Sequence, residues 1–203
     1  GRCRVVGGVV ETPPPRLALE EILVRTELDL PHAGRRGWTD APGSFAAGHL
    51  DEGTGALLRT LTPFAPGTRV LDYGAGTGVI GAVAAALGAE VTLLEADALA
   101  AAAARCNLPE ARVVEGYGWS ALDPDATFER VLANPPWHIG KAETVAPVLE
   151  FLAGVPRHLA PEGSVRFVVQ RRLPVEATLR DSFARVEVVA DRGPFRVWQA
   201  GGA

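Results

Sequence analysis

The 203-residue sequence contains no methionine, one lysine at Lys141 and only two cysteines. Cys3 and Cys106 stand far apart and in no CxxC or Cys/His cluster, so neither a disulfide framework nor a metal site is expected. No stretch approaches the roughly 18 unbroken apolar residues that span a bilayer, and no signal peptide opens the chain. A cytoplasmic protein without membrane contact is the expectation. Positive charge is not in excess either: 20 Lys and Arg face 24 Asp and Glu, a formal net charge of -4. That balance argues against a surface that grips nucleic acid by charge alone, while leaving room for a local basic patch. The preference for Arg over Lys, with 23 Gly and 16 Pro, is the bias a GC-rich genome produces without functional demand. With Gly1 in first place and no Met, the chain is expected to have lost its start residue. What is present is 47% hydrophobic content, over a length that suits one globular unit with a sizeable core.

Residues 1–42 read as a lead-in: a short strand in RCRVVGGVV, a helix in RLALEEILVR, then two strands around a turn at residues 34–37. GTGALLRTLTPF carries a short amphipathic helix. From there the pattern becomes regular. Strand-like runs occur at TRVLDYG, AEVTLLEA, ARVVEG, ERVLANP, SVRFVVQ, RVEVVA and FRVWQA. Helix-like segments separate the first five, at residues 77–87, 98–107, the less regular GWSALDPDA, and 142–159. Alternating strands and helices predict a parallel sheet wound on both faces. DRGP, between the last two strands, is long enough for a hairpin and too short for a crossover helix. The expected fold is therefore α/β: a Rossmann-like, seven-stranded, mostly parallel sheet with an antiparallel C-terminal hairpin, forming one domain over residues 43–203.

In such a sheet ligands bind beyond the carboxyl ends of the strands. The first regular strand ends in VLDYGAGTGVIG, where Gly74, Gly76 and Gly78 permit backbone angles and approaches that a side chain would block. Asp72 places a carboxylate that suits a cationic amino group and would repel a pyrophosphate. Glu95, beside Ala96 at the end of the second strand, offers hydrogen bonds to two ribose hydroxyls. A ribose with an ammonium group describes S-adenosyl-L-methionine. The alternative reading is a tight turn followed by a solvated acid.

The fourth strand, Val131-Leu132-Ala133, stops at Asn134-Pro135-Pro136-Trp137-His138, because proline cannot donate to a strand ladder. Alone, the segment reads either as a strand exit with Trp137 in the core or as a rigid holder of acceptor groups. Together with the glycine loop about sixty residues upstream, it resembles the class I S-adenosylmethionine-dependent methyltransferases that modify exocyclic or amide nitrogens. GSFAAGHLDEGTGALL, LDYGAGTGVIGA, ANPPWHIGK, RFVVQRRLP and FRVWQA follow the order seen in the ribosomal RNA guanine-N2 methyltransferases of the small-subunit type. The resemblance runs from about Gly43 to the end. Members of that family usually carry an extra N-terminal domain that helps hold RNA, and residues 1–42 are too few to be it.

The resemblance implies a chemistry. A guanine amino group is planar and weakly nucleophilic, and its nitrogen must move toward a tetrahedral shape to attack a methyl. The side-chain oxygen of Asn134 and the carbonyl of Pro135 would accept its two N–H hydrogens, with Pro136 stiffening the pair and Trp137 stacking on the base. Cofactor contacts are expected from Asp72, Gly74, Gly76, Gly78, Glu95, Ala96, Tyr117, Thr54 and Asn134. Substrate contacts are expected from Phe45, Trp137, His138, Gln170 and Arg172, next to Arg171; Gly53 belongs with Phe45 and Thr54. His138 reads equally as a surface histidine, Phe45 as a packing residue and the arginines as solvated. Two positions depart from the family. Tyr117 stands where an Asp near the adenine amino group is common, so its phenol stacks on adenine, accepts one hydrogen bond or narrows the pocket. Glu129 replaces an Asp.

The expected activity is methyl transfer from S-adenosyl-L-methionine to the N2 amine of a guanine in ribosomal RNA or the small ribosomal subunit, without a metal. Protein-glutamine N5-methylation uses the same planar nitrogen and is the nearest alternative. A non-catalytic module that holds RNA or assists assembly is another, and a nicotinamide oxidoreductase lacks any visible hydride-transfer partner.

Overall fold

The structure, a computed structural model, describes residues 18–43, 48–136, 138–139 and 142–202. The strand expected in RCRVVGGVV lies outside them. The helix expected across RLALEEILVR is confined to α1 (Leu19–Ile22). Val24 and Arg25 instead enter β1 (Val24–Leu30), which pairs antiparallel with β2 (Gly34–Asp40) from Val24 opposite Asp40 to Leu30 opposite Gly34. The turn sits at residues 31–33, not 34–37, with His32 at φ 63° and Gly34 at φ 68°. Arg35 and Arg36 are thereby strand residues, paired with Asp29 and Leu28.

α2 (Glu52–Leu58) follows, and then the alternating body: β3 (Arg69–Tyr73), α3 (Val79–Ala86), β4 (Glu90–Glu95), α4 (Ala98–Asn107), β5 (Arg112–Glu115) and β6 (Phe128–Ala133). Beyond a two-residue pairing of β7 (His138–Ile139) with β8 (Ala142–Glu143) come α5 (Ala146–His158), β9 (Leu159–Gln170), α6 (Glu176–Ser182), β10 (Arg185–Arg192) and β11 (Phe195–Gly201). The seven-stranded sheet has the order β10-β11-β9-β6-β3-β4-β5. β3 is parallel to both β4 and β6, β5 to β4, and β9 to β6, while β11 runs antiparallel to β9 and to β10. The C-terminal hairpin is as expected, with its last strand inserted between β9 and β10.

Both faces of the sheet are covered, and consecutive residues divide between them. Val70, Leu93, Leu132 and Val168 pack with α2, α3 and the β1–β2 hairpin, whose Leu28, Leu30 and Trp38 belong to the same core. Their neighbours Leu71, Leu94, Val131 and Phe167 pack with Phe151 and Leu152 of α5 and Leu179 of α6. Burial on both faces explains the continuous apolar runs of β3 and β6. α3 lies close on the sheet because Gly81 has no side chain: a Cβ there would meet Leu93 Cδ2 at 2.3 Å. The chain leaves β3 toward β4 and β5 on one side, and returns to β6 on the other. The crevice for a ligand is therefore at the carboxyl ends of β3 and β6.

Candidate functional site

A cavity of about 350 Å³ opens at that crevice, within the size range of small-molecule sites. Gly74, Gly76, Glu95 and Asp97 form one wall, Asn134, Pro135 and Pro136 another. Asp51 and Thr54 at the start of α2, together with Leu28, Trp38 and Asp40 of the hairpin, complete it.

The glycine loop is tied to β4 by the N–H groups of Gly74 and Ala75, which both donate to the Leu94 carbonyl at 2.9 and 3.0 Å. Gly74 and Gly76 take φ 69° and 57°, and nothing lies within 4 Å of where their Cβ atoms would be. They leave open space in front of the loop. Gly78 has a different duty. At φ 90° it caps α3, and a Cβ there would press on Leu108 at 2.9 Å and Leu93 at 3.3 Å, inside the core and outside the cavity wall.

Glu95 braces the loop: one carboxylate oxygen accepts the Gly76 N–H at 2.7 Å and the other the Asp97 N–H at 2.8 Å. A carboxylate has about four lone-pair positions, so acceptor capacity is left over. Asp72 lies beneath the loop, fully buried and not in the cavity wall. Its Oδ2 accepts the Gly81 N–H at 2.8 Å, pinning α3 to β3, and its Oδ1 has no partner among the described residues. Burial pushes its pKa up to about 7, against the pull of the Gly81 hydrogen bond.

Asn134 emerges from β6 half-buried. Its Nδ2 donates to Asp51 Oδ2 at 3.1 Å and to Thr54 Oγ1 at 2.9 Å, and its Oδ1 makes no hydrogen bond among the described residues. Pro135 is buried and Pro136 exposed, both in the cavity wall.

Other expected site residues lie farther off. Ala96 is exposed outside the cavity wall, and its neighbour Asp97, the N-cap of α4, lines it instead. Tyr117 is 69% exposed and its hydroxyl donates to Glu150 of α5 at 3.1 Å, which also holds the phenol pKa up. Its ring is not part of the cavity wall. Gly53 faces the Phe195 ring, where its missing side chain lets α2 approach β11. Gln170 ends β9 on the same rim as Asn134 and accepts the Nε–H of Arg172, in the turn beyond, at 2.7 Å, while Arg171 pairs with Asp191 at 2.6 Å. The backbone of His138 pairs with that of Glu143 just past the tetrad. Phe45 and Trp137 lie outside the described residues. Glu129 is remote, holding the Arg69 guanidinium at 2.6 Å on the surface at the amino ends of β3 and β6.

Trp38, Asp40, Asp51 and Asp97 are wall residues that the sequence reading did not single out. Trp38 is buried, its indole N–H donating to Thr77 Oγ1 at 3.0 Å. Asp40 accepts the Ala41 and Gly48 N–H groups at 2.9 and 2.5 Å. The spacing Leu28, Leu30 and Trp38, Asp40 gave a signal, since alternate residues of a hairpin share a face. Among the described residues no group of His, Cys, Asp and Glu side chains is placed to hold a metal ion, and no helix is long and apolar enough to cross a membrane.

Comparison with known proteins assigns the chain to a family. The family model described as methyltransferase small domain matches residues 37–199. The ribosomal RNA small subunit methyltransferase C of Chromohalobacter salexigens is 37% identical over 166 residues, covering 78% of this chain and 49% of that protein. Its counterpart from Pseudomonas entomophila is 32% identical over 204 aligned residues, covering 98% of this chain and 60% of that protein. The chain thus spans about half the length of the curated relatives it matches. Among solved structures, the T. thermophilus 16S rRNA N2 G1207 methyltransferase in complex with AdoMet and guanosine superposes with a TM-score of 0.81 at 25% identity, over 94% of this chain and 52% of that one.

Proposed function

The chain belongs to the methyltransferase small domain family, and on that premise we propose that it transfers a methyl group from S-adenosyl-L-methionine to the exocyclic N2 amine of a guanine in ribosomal RNA. The observation that carries this reading is the meeting, in one cavity, of the glycine loop and Glu95 with the Asn134-Pro135-Pro136 exit of β6. The names of the relatives, which give small-subunit ribosomal RNA and guanine N2, support the choice of acceptor. Ribosomal RNA or the small ribosomal subunit is then the partner, and the cytoplasm the compartment.

The residues present fit the cofactor. Gly74 and Gly76 leave open space and Glu95 keeps acceptor capacity for ribose hydroxyls, while Asp72 stands beneath the loop and outside the cavity wall. When bound, S-adenosyl-L-methionine supplies an electrophilic methyl on a sulfonium. The chain's part is to prepare the acceptor nitrogen. Asn134 Oδ1 and the Pro135 carbonyl accept its two N–H hydrogens in directions that favour a tetrahedral nitrogen, which strengthens those bonds as the barrier is climbed. We assign base stacking to Trp137 and substrate contact to Phe45 and His138 on their sequence positions. Gln170 and Arg172, on the same rim, meet base edges or phosphates. The proton leaves once the nitrogen is cationic, and no strong base is required.

A protein-glutamine acceptor has the same planar nitrogen, and the net charge of -4 is the observation in its favour. Incubating the protein with methyl-labelled cofactor and, in parallel, small ribosomal subunits, their naked RNA and release factors separates the two. Label in RNA is expected; label in glutamine of a protein, with none in RNA, overturns the assignment.

A further inference from the structure

We infer that Asp51, with Thr54, is a positioning residue that locks the Asn134 amide so that its oxygen, not its nitrogen, is presented to the acceptor amine; this rests on the methyl-transfer reading above. The two ends of an asparagine amide are nearly alike in shape and opposite in hydrogen bonding. A flipped amide would set NH2 against NH2 and accept nothing.

Three distances fix the orientation. Asp51 Oδ2 accepts the Thr54 backbone N–H at 2.8 Å. An N–H can only donate, so this oxygen is an acceptor, and the amide end 3.1 Å from it must be the NH2. The second N–H of the same nitrogen is taken by Thr54 Oγ1 at 2.9 Å. Turning the amide over would place Asn134 Oδ1 against Asp51 Oδ2, two acceptors at hydrogen-bond distance, and strand both N–H groups. The clamp is anchored in the fold: Asp51 is the N-cap of α2, and α2 is seated on β11 through Gly53 and the Phe195 ring. Eighty-three residues of sequence separate Asp51 from Asn134, yet both line one cavity.

A merely structural N-cap makes different predictions from a clamp, and substitutions at position 51 separate them. Asp51→Ser keeps an acceptor for the Thr54 N–H, because serine is a good N-cap, but its shorter side chain cannot reach Asn134. Asp51→Asn keeps an oxygen at the right reach for both bonds. For Asp51→Ser we expect kcat to fall about a hundredfold, with cofactor Kd by calorimetry and KM for RNA within about threefold. Asp51→Asn should restore kcat to within about tenfold of wild type. The side-chain NH2 signals of Asn134 in a nitrogen-15 NMR spectrum give a readout independent of turnover: both protons slow to exchange in wild type and in Asp51→Asn, and the one facing position 51 fast in Asp51→Ser. Wild-type kcat in Asp51→Ser, or an Asn134 amide that exchanges alike in all three proteins, overturns the clamp. A wild-type protein that methylates no RNA while the exchange pattern holds overturns the acceptor assignment and leaves the clamp standing.

Discussion

Asn134 stands one residue beyond β6, with its nitrogen committed to α2 and its oxygen left over. Replacing it with Ala removes an acceptor used mainly on the way to the transition state, so kcat should drop about 10²–10³-fold while cofactor affinity changes little. Single-turnover rates beside calorimetric binding check both halves. Asp72 makes a prediction about pH. Its buried carboxyl has a pKa near 7 in place of an ordinary 3.8. Because the folded value is the higher one, the protonated acid favours the fold: the contribution is complete below about pH 4 and lost as pH rises to about 7. Asp72→Asn should therefore stabilise the unliganded protein at pH 8 by on the order of 4 kcal/mol relative to its effect at pH 4, read by urea unfolding at the two pH values. Asn134, Glu95 and Gly74 were legible in the sequence because strand ends and proline fix where they emerge. Tyr117 and Gly78 were not, since the direction in which a loop side chain leaves the backbone depends on what it packs against, here Glu150 and Leu108. Asp51 was invisible for another reason: its partner is distant in the chain.

At the level of elements, the β1–β2 hairpin forms part of the cavity, and beside its apolar packing one side chain ties its backbone to the body. Asn107, at the end of α4, accepts the Thr39 N–H at 2.7 Å and donates to the Thr39 and Thr77 carbonyls at 2.8 and 2.9 Å. Asn107→Leu leaves three buried backbone groups without these bonds. A loss of about 2–4 kcal/mol in unfolding free energy is expected, together with weaker cofactor binding as Trp38 and Asp40 loosen. Denaturant unfolding and calorimetry on the same variant test this, and unchanged binding in the destabilised protein would detach the hairpin from the site. The seven strands of the main sheet were readable from apolar runs and their spacing. The hairpin register was not, because Gly34, Arg35, Arg36 and Gly37 look like a turn until their pairing with Glu27 to Leu30 is seen. The same holds for the start of α5: β8 takes residues that have helical propensity.

For the whole molecule, a net charge of -4 gives RNA no general attraction, so the proposed RNA substrate is expected to be held by local contacts near the cavity rim. Arg172→Ala is expected to weaken RNA binding about equally for all sequences, and to reduce the slope of log affinity against log salt by about 1. Fluorescence anisotropy at several salt concentrations measures that slope. The parallel order of β5-β4-β3-β6-β9 places two loops written sixty residues apart on either side of one crevice, and that juxtaposition is the basis of the proposed chemistry. The most direct measurement is a crystal structure of the chain with S-adenosyl-L-methionine and guanosine. The guanine N2 should lie within hydrogen-bond distance of Asn134 Oδ1 and in line with the methyl carbon and sulfur. A donor seated with its methyl turned away from Asn134, or a guanine held by another edge, would contradict the account.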